Sequence, residues 1–160
     1  MSVIIRKINP KDNPHIERII KSVFIEFKLP LSGTAYEDVE TTQMFESYQQ
    51  NGNVYYVIKE NEVILGGGGI KALKDNNDNI CELQKMYFDP NARGKGYGQL
   101  LIEKCLQFAK ENGFEKCYLE TLPNLEAAIH LYKKNGFTFL DCSLGNTGHS
   151  SCDVWMIKDL

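Results

Sequence analysis

At 160 residues the chain is long enough to bury a core without disulfides or metals, and short enough to be a single domain spanning 1–160. With 42% apolar and 24% charged residues it has a globular composition, and a net charge of −3 argues against nucleic acid as a partner. No apolar run approaches the roughly 20 residues of a membrane span, and the polar start "MSVIIRKINPKDN" does not read as a signal peptide, so the expectation is a cytoplasmic protein.

The first element is a strand, "VIIRKI". Asp12 or Asn13 then caps a helix with Pro14 in its first turn and Ile16, Ile19, Ile20, Val23, Phe24 and Phe27 along one face. The loop "LPLSGTAYEDVE" leads to a second helix carrying Met44, Phe45 and Tyr48. "NVYYVIKENEVILGGGGIKAL" reads as two strands turning at Glu60-Asn61. Gly66 to Gly69 are unusual inside a strand and signal either a bulge or a close approach to the backbone. "NICELQKMYF" is the next strand, closed by Asp89-Pro90. A glycine-rich loop follows, then a helix with Leu101, Cys105, Phe108 and Ala109 on one side, stopped at Asn112-Gly113. The remainder reads as strand "EKCYLET", helix "NLEAAIHLYKKNG", strand "FTFLDC" and strand "SCDVWMIKDL". The order β-α-α-β-β-β-α-β-α-β-β predicts a mixed α/β sheet of about seven strands, with "ELQKMYF" parallel to "KCYLET". An exposed last strand would offer an edge for a homodimer; otherwise the chain is a monomer. Five cysteines without C-x-x-C spacing, most of them in apolar segments, fit buried thiols and not a disulfide frame or a metal site.

The loop "RGKGYG" between strand and helix has the makings of an anion site. The first amides of a helix are unpaired and the helix dipole adds positive character. Glycines permit positive φ and close approach. The dipole is worth only about 0.3–1 kcal/mol, so several amides with Arg93 and Lys95 must act together. A solvated glycine turn is the plainer alternative. The dinucleotide pattern G-x-G-x-x-G and the triphosphate pattern ending G-K-[ST] are both unmet.

The run Arg93-Gly94-Lys95-Gly96-Tyr97-Gly98 does fit [Q/R]-x-x-G-x-[G/A], and it resembles the pyrophosphate loop of the GNAT superfamily of acetyl-CoA-dependent N-acetyltransferases. "ELQKMYFDP" resembles that family's central strand and "LYKKNGF" its late helix-to-strand passage. The resemblance implies the GNAT fold, helices on both faces of the sheet, and acetyl-CoA as co-substrate with no metal. Backbone groups of Met86, Tyr87 and Phe88 would bind the pantetheine arm. Amides of Arg93, Gly94, Lys95, Gly96, Tyr97, Gly98 and Gln99 would bind the pyrophosphate.

The same resemblance implies a general base at Glu82 and a general acid at Tyr132. As a residue, Glu82 is an acid in an apolar strand, where burial raises a pKa; a surface glutamate or a partner of Lys85 is the alternative. Tyr132 as a plain packing residue is the alternative for the acid. Asn124, which the family would place against the CoA arm, stands eight residues before Tyr132, one more than the usual spacing, and Leu125 takes the seven-back position. Tyr36, Glu37, Asp38 and Glu40 form either a pocket for a cationic amine or a solvated acidic loop. His149 could serve the acceptor, while Cys152 lacks a nearby base. The expected activity is acetyl transfer to a primary amine on a small molecule or peptide. A non-catalytic acyl-CoA-binding module is the competing class.

Overall fold

The computed structural model describes residues 2–76 and 79–160. Seven strands form one sheet: β1 (Val3–Lys7), β2 (Val54–Glu60), β3 (Val63–Ala72), β4 (Ile80–Phe88), β5 (Lys116–Thr121), β6 (Thr138–Leu140) and β7 (Val154–Asp159). Their spatial order is β1-β2-β3-β4-β5-β7-β6, and every neighbouring pair is antiparallel except β4 and β5. The helices are α1 (Asn13–Glu26), α2 (Met44–Ser47), α3 (Tyr97–Glu111) and α4 (Glu126–Lys134).

Alternation along the strands divides the core. Val54, Tyr56, Leu83, Cys117 and Leu119 pack against α3 and α4, whereas Tyr55 and Val57 pack against α1 and α2. The periodic face read for the first helix holds: Ile16, Ile19, Ile20, Val23 and Phe24 are all buried. The mixed sheet of seven strands with helices on both faces expected from the sequence is the one observed.

Several boundaries differ. The second helix is a single turn, and Tyr48 lies just past it, its ring inside the core. Asp12 does not cap α1; its carboxylate goes to the Arg6 guanidinium at 2.7 and 3.1 Å and to the Asn9 amide at 2.8 Å. The β2–β3 turn falls on Asn61 and Glu62, both with left-handed φ. The last strand is not a free edge: β7 lies between β5 and β6, so the dimer edge anticipated there does not exist.

Two features set the site. First, β4 and β5 pair only over Ile80–Glu82 and Lys116–Tyr118, after which they part. Second, β4 carries an extra residue opposite β3. Gly67 faces Tyr87 and Gly69 faces Gln84, leaving Lys85 and Met86 opposite Gly68, with Lys85 at φ 48°. Such a bulge bends the strand and re-aims its side chains. The glycine run makes room for what holds it. A Cβ on Gly69 would lie 2.7 Å from Tyr55 Cδ2 and 2.9 Å from Tyr48 Cε1. The Tyr55 ring thus lies flat on bare backbone, and its hydroxyl donates to the Lys85 carbonyl at 2.7 Å. Both alternatives for Gly66–Gly69, bulge and close approach, are true together.

Candidate active site

Where β4 and β5 part, a cleft of about 340 Å³ opens between them, reaching Val23 and Phe27 of the α1 segment as well as Leu131 and Tyr132 of α4. Met86, Tyr87 and Phe88 of β4 line it, with Arg93, Gly94, Gly96, Tyr97 and Gly98 of the loop and Leu131 and Tyr132 of α4. Its walls are mostly apolar and one end is a helix N-terminus, a combination suited to a long ligand with an anionic end.

The loop is shaped by its sequence. The Asp89 side chain accepts from the Asn91 amide at 2.9 Å, closing a short turn over Pro90–Ala92. Gly94 and Gly96 then take φ of 75° and 79°, which side-chain-bearing residues rarely adopt. Gly98 lies close to α4: a Cβ there would stand 3.0 Å from Leu131 Cδ2. The loop's cations lean on carboxylates from other elements. Arg93 forms a two-pronged pair with Glu26 at 2.6 and 2.7 Å, and Lys95 pairs with Glu60 at 3.1 Å. The Gln99 side chain is engaged with Asn135 and Glu103. Neither Lys95 nor Gln99 lines the cleft.

Glu82 lies on the other side of β4 from the cleft-lining Leu83, and does not itself line the cleft. Only 4% of it is exposed. Its Oε1 accepts from Gln84 Nε2 at 2.7 Å, and Gln84 Oε1 accepts from the Tyr48 hydroxyl at 2.7 Å. Its Oε2 receives no hydrogen bond among the described residues, yet it is not sealed off. Burial pushes the Glu82 carboxyl up to about 7, against the lowering effect of the Gln84 bond, with the Glu120 charge adding to the rise. Lys85 is not its partner; that ammonium sits 3.0 Å from Asp38 and 3.6 Å from Glu40.

Tyr132 reaches the cleft from α4, its ring edge-on to Phe137. Burial raises its hydroxyl above the usual tyrosine range, so it stays protonated and able to donate. Asn124 is exposed in the turn before α4, outside the cleft lining, and Leu125 takes the lining position.

The acidic loop is partly tied down by ion pairs, while Glu37 is exposed. Asp38 binds Lys85 and, at 2.6 Å, His149 Nε2, while Glu40 binds Lys71 at 2.6 Å. Burial would raise the Asp38 carboxyl, but the His149 bond and the Lys85 charge outweigh it and hold it low. His149 therefore ties the tail to this loop. The Cys152 thiol is pushed up to about 12 by burial and by the neighbouring Glu120 and Glu82 carboxylates, which makes it a poor nucleophile.

Sequence reasoning assigns no site role to Gln84, Tyr48 or Glu120, and offers Lys85 only as a partner of Glu82. Only Glu120 had a visible signal: it is an acid within the apolar run "CYLET", the same feature that singled out Glu82. The Tyr48–Gln84–Glu82 chain joins residues 36 apart and depends on tertiary contact.

This fold and cleft define an acyltransferase. A family model described as the acetyltransferase (GNAT) family matches residues 20–137. The chain is 41% identical to the uncharacterized N-acetyltransferase YjgM of Escherichia coli K12, over 99% of this chain and 96% of that protein. In structure it is similar to a GNAT-family acetyltransferase from Staphylococcus aureus Mu50, with a TM-score of 0.88, 21% identity and 99% of both chains covered. The PaiA N-acetyltransferase of Thermoplasma acidophilum, solved with coenzyme A, matches with a TM-score of 0.75 at 20% identity, with 100% of both chains covered. The protein belongs to the GNAT family of acetyltransferases.

Among the described residues, no helix is long and apolar enough to cross a membrane, and no three His, Cys, Asp or Glu side chains group as a metal site would require.

Proposed function

We propose that the protein transfers an acetyl group from acetyl-CoA directly to a primary amine. The observation that carries this reading is the parting of β4 and β5 immediately after Glu82 and Tyr118, which opens a long, mostly apolar cleft that ends at the N-terminus of α3.

The residues fit the co-substrate. The β4 segment Met86–Phe88 has no β5 strand pairing, leaving backbone groups for an extended amide-bearing arm. Amides of Arg93 to Gln99 would hold the diphosphate, beside an Arg93 guanidinium that is paired with Glu26. When bound, the thioester supplies the acetyl group and a thiol leaving group.

Everything else falls to the chain. An alkyl ammonium has a pKa near ~10.4, so presenting it neutral at pH 7 costs roughly 4–5 kcal/mol. Glu82, near 7 and oriented by Gln84, accepts that proton directly or through one water. Tyr132 is the protonated hydroxyl within the cleft and serves as donor to the departing sulfur. A thiol with a pKa near ~8.5 leaves readily without help, so this contribution is the smaller one.

The experiment is thiol release from acetyl-CoA with a panel of amines. Tyr132→Phe is expected to lower kcat by about tenfold to a hundredfold, at or below the lower end of acid catalysis, with the fold intact by circular dichroism. Unchanged turnover removes Tyr132 from the chemistry. Stabilisation by CoA with no amine acetylated favours the binding-module alternative.

A further inference from the structure

We propose that Glu26, at the end of α1, is a displaceable counter-anion at the phosphate end of the cleft. It holds Arg93 in the free protein and yields that guanidinium to the diphosphate, and its charge limits how tightly the coenzyme is kept. This rests on the reading of the cleft given above and adds a residue that sets its affinity.

The mouth of α3 carries little free positive charge. Between Asp89 and Gln99 the sequence has two cations, and each is already paired: Arg93 with Glu26 at 2.6 Å and Lys95 with Glu60 at 3.1 Å. The Asp89 carboxylate lies 3.6 Å from Arg18. These three pairs sum to no net charge. A diphosphate arriving here is met by helix amides, and a guanidinium becomes available to it only by exchange.

The two loop pairs differ in what they can do. Lys95 does not line the cleft, and its partner Glu60 also accepts from the Tyr97 hydroxyl, which ties the first residue of α3 to the end of β2. That pair is a brace. Arg93 does line the cleft, as does Phe27, and the guanidinium carbon lies 5.3 Å from the Phe27 ring centre. A ring face attracts a cation without fixing the direction of its N–H groups. The Arg93 fork fits phosphate oxygens in the same two-pronged way as it fits a carboxylate.

Helix chemistry does not account for a carboxylate at position 26. The last turn of a helix carries partial negative charge, which favours Lys, Arg or His there and disfavours Asp and Glu. Glu26 is the last residue of α1, and that last turn has no basic residue. Among the described residues its side chain has hydrogen bonds and an ion pair with Arg93 alone. The two side chains are 42% and 39% exposed, so solvent screens the pair and it opens readily. Once Arg93 turns to the diphosphate, Glu26 remains as an unpaired anion beside it. Like charges within the screening length of roughly 8 Å repel, and this repulsion favours departure of the CoA product.

The test measures Kd by calorimetry for CoA, dephospho-CoA and pantetheine, using the full chain and Glu26→Gln, at about 50 mM and about 0.5 M salt. Glutamine keeps the side-chain length and removes the charge. At low salt the variant is expected to bind CoA and dephospho-CoA about threefold to fivefold more tightly. Pantetheine, which lacks the diphosphate, should change by less than about twofold, and the gain should vanish at high salt. Unchanged CoA binding at low salt overturns the proposal. Weaker binding also does, since it marks Glu26 as a fixed support for Arg93. A gain shared by pantetheine, or one that persists at high salt, overturns it as a change of cleft shape. A gain that dephospho-CoA does not share overturns it by placing Arg93 on the ribose phosphate. Should Glu26→Gln not fold, Glu26→Ala removes the same charge with a stronger helix former and is read in the same way. All these failures leave the cleft reading standing; folded wild type that binds no CoA removes both.

Discussion

Replacing Glu82 by glutamine is expected to lower kcat/KM by about 10²–10⁴-fold at pH 7 while making the protein more stable. The activity loss follows from removing the only group in the Tyr48–Gln84–Glu82 chain that can accept a proton near neutrality. Wild-type kcat/KM should climb with pH through about 7 and level off above it, because the base must be ionised. The groups facing Glu82 account for that midpoint: burial raises it, Glu120 adds to the rise, and the Gln84 bond, His149 and Lys85 oppose it. The variant should lack this inflection. Stability moves the other way. A carboxyl raised on folding binds its proton more tightly in the native state, so its contribution is full at low pH and is lost between the unfolded value near 4.5 and about 7. Glutamine keeps the bond from Gln84 and carries no charge, so its Tm should exceed that of the wild type above pH 7. A pH–rate profile and a thermal melt at pH 8 check both halves; a variant both less active and less stable would mark Glu82 as structural.

Gly67→Ala is expected to destabilise the fold markedly for so small a change. Its Cβ would stand 2.7 Å from Tyr55 Oη and 2.9 Å from Cζ. The ring cannot swing away cheaply, because its hydroxyl holds the bulge carbonyl of Lys85 and its edge meets Tyr48. Overpacking of this kind costs about 3 kcal/mol, against a gain of only about 0.5–1 kcal/mol from the stiffer unfolded chain. The net loss of about 2 kcal/mol corresponds to a fall in Tm of about 4–8 °C for a chain of this length. Gly68→Ala is the contrast: its nearest neighbour is Met86 Cγ at 3.3 Å, on a side chain that can yield, so less than half that drop is expected. Equal melting temperatures for the two variants would show that the tyrosine ring does not hold the bulge.

The parts of this molecule legible in the sequence are those set by local chemistry. Apolar residues at helical spacing marked α1 and α3, and the glycines at 94, 96 and 98 marked a strand-to-helix loop whose backbone must be bare. Glu82 showed itself as an acid among apolar neighbours. What stayed hidden depends on register. The Lys85 bulge arises from one extra residue in β4 against β3, and the sequence carries the glycines that accommodate it but not the side on which the extra residue falls. The pairing of Lys85 with Asp38 and Glu40 joins a strand to a distant loop. The loop's charges looked solvated because their partners are far along the chain. Asn124 shows the opposite case: it stands one residue further from Tyr132 than the pattern asks and is exposed in the turn before α4, while Leu125 lines the cleft.

Transfer from acetyl-CoA requires that the cleft between β4 and β5 accept a coenzyme A arm, with its diphosphate at the mouth of α3. Titrating CoA into the purified protein by isothermal calorimetry tests this most directly. The expected result is a saturable heat at one site per chain, weakened by salt because the phosphates meet Arg93 and the helix N-terminus. Folded protein that gives no heat with millimolar CoA would contradict it.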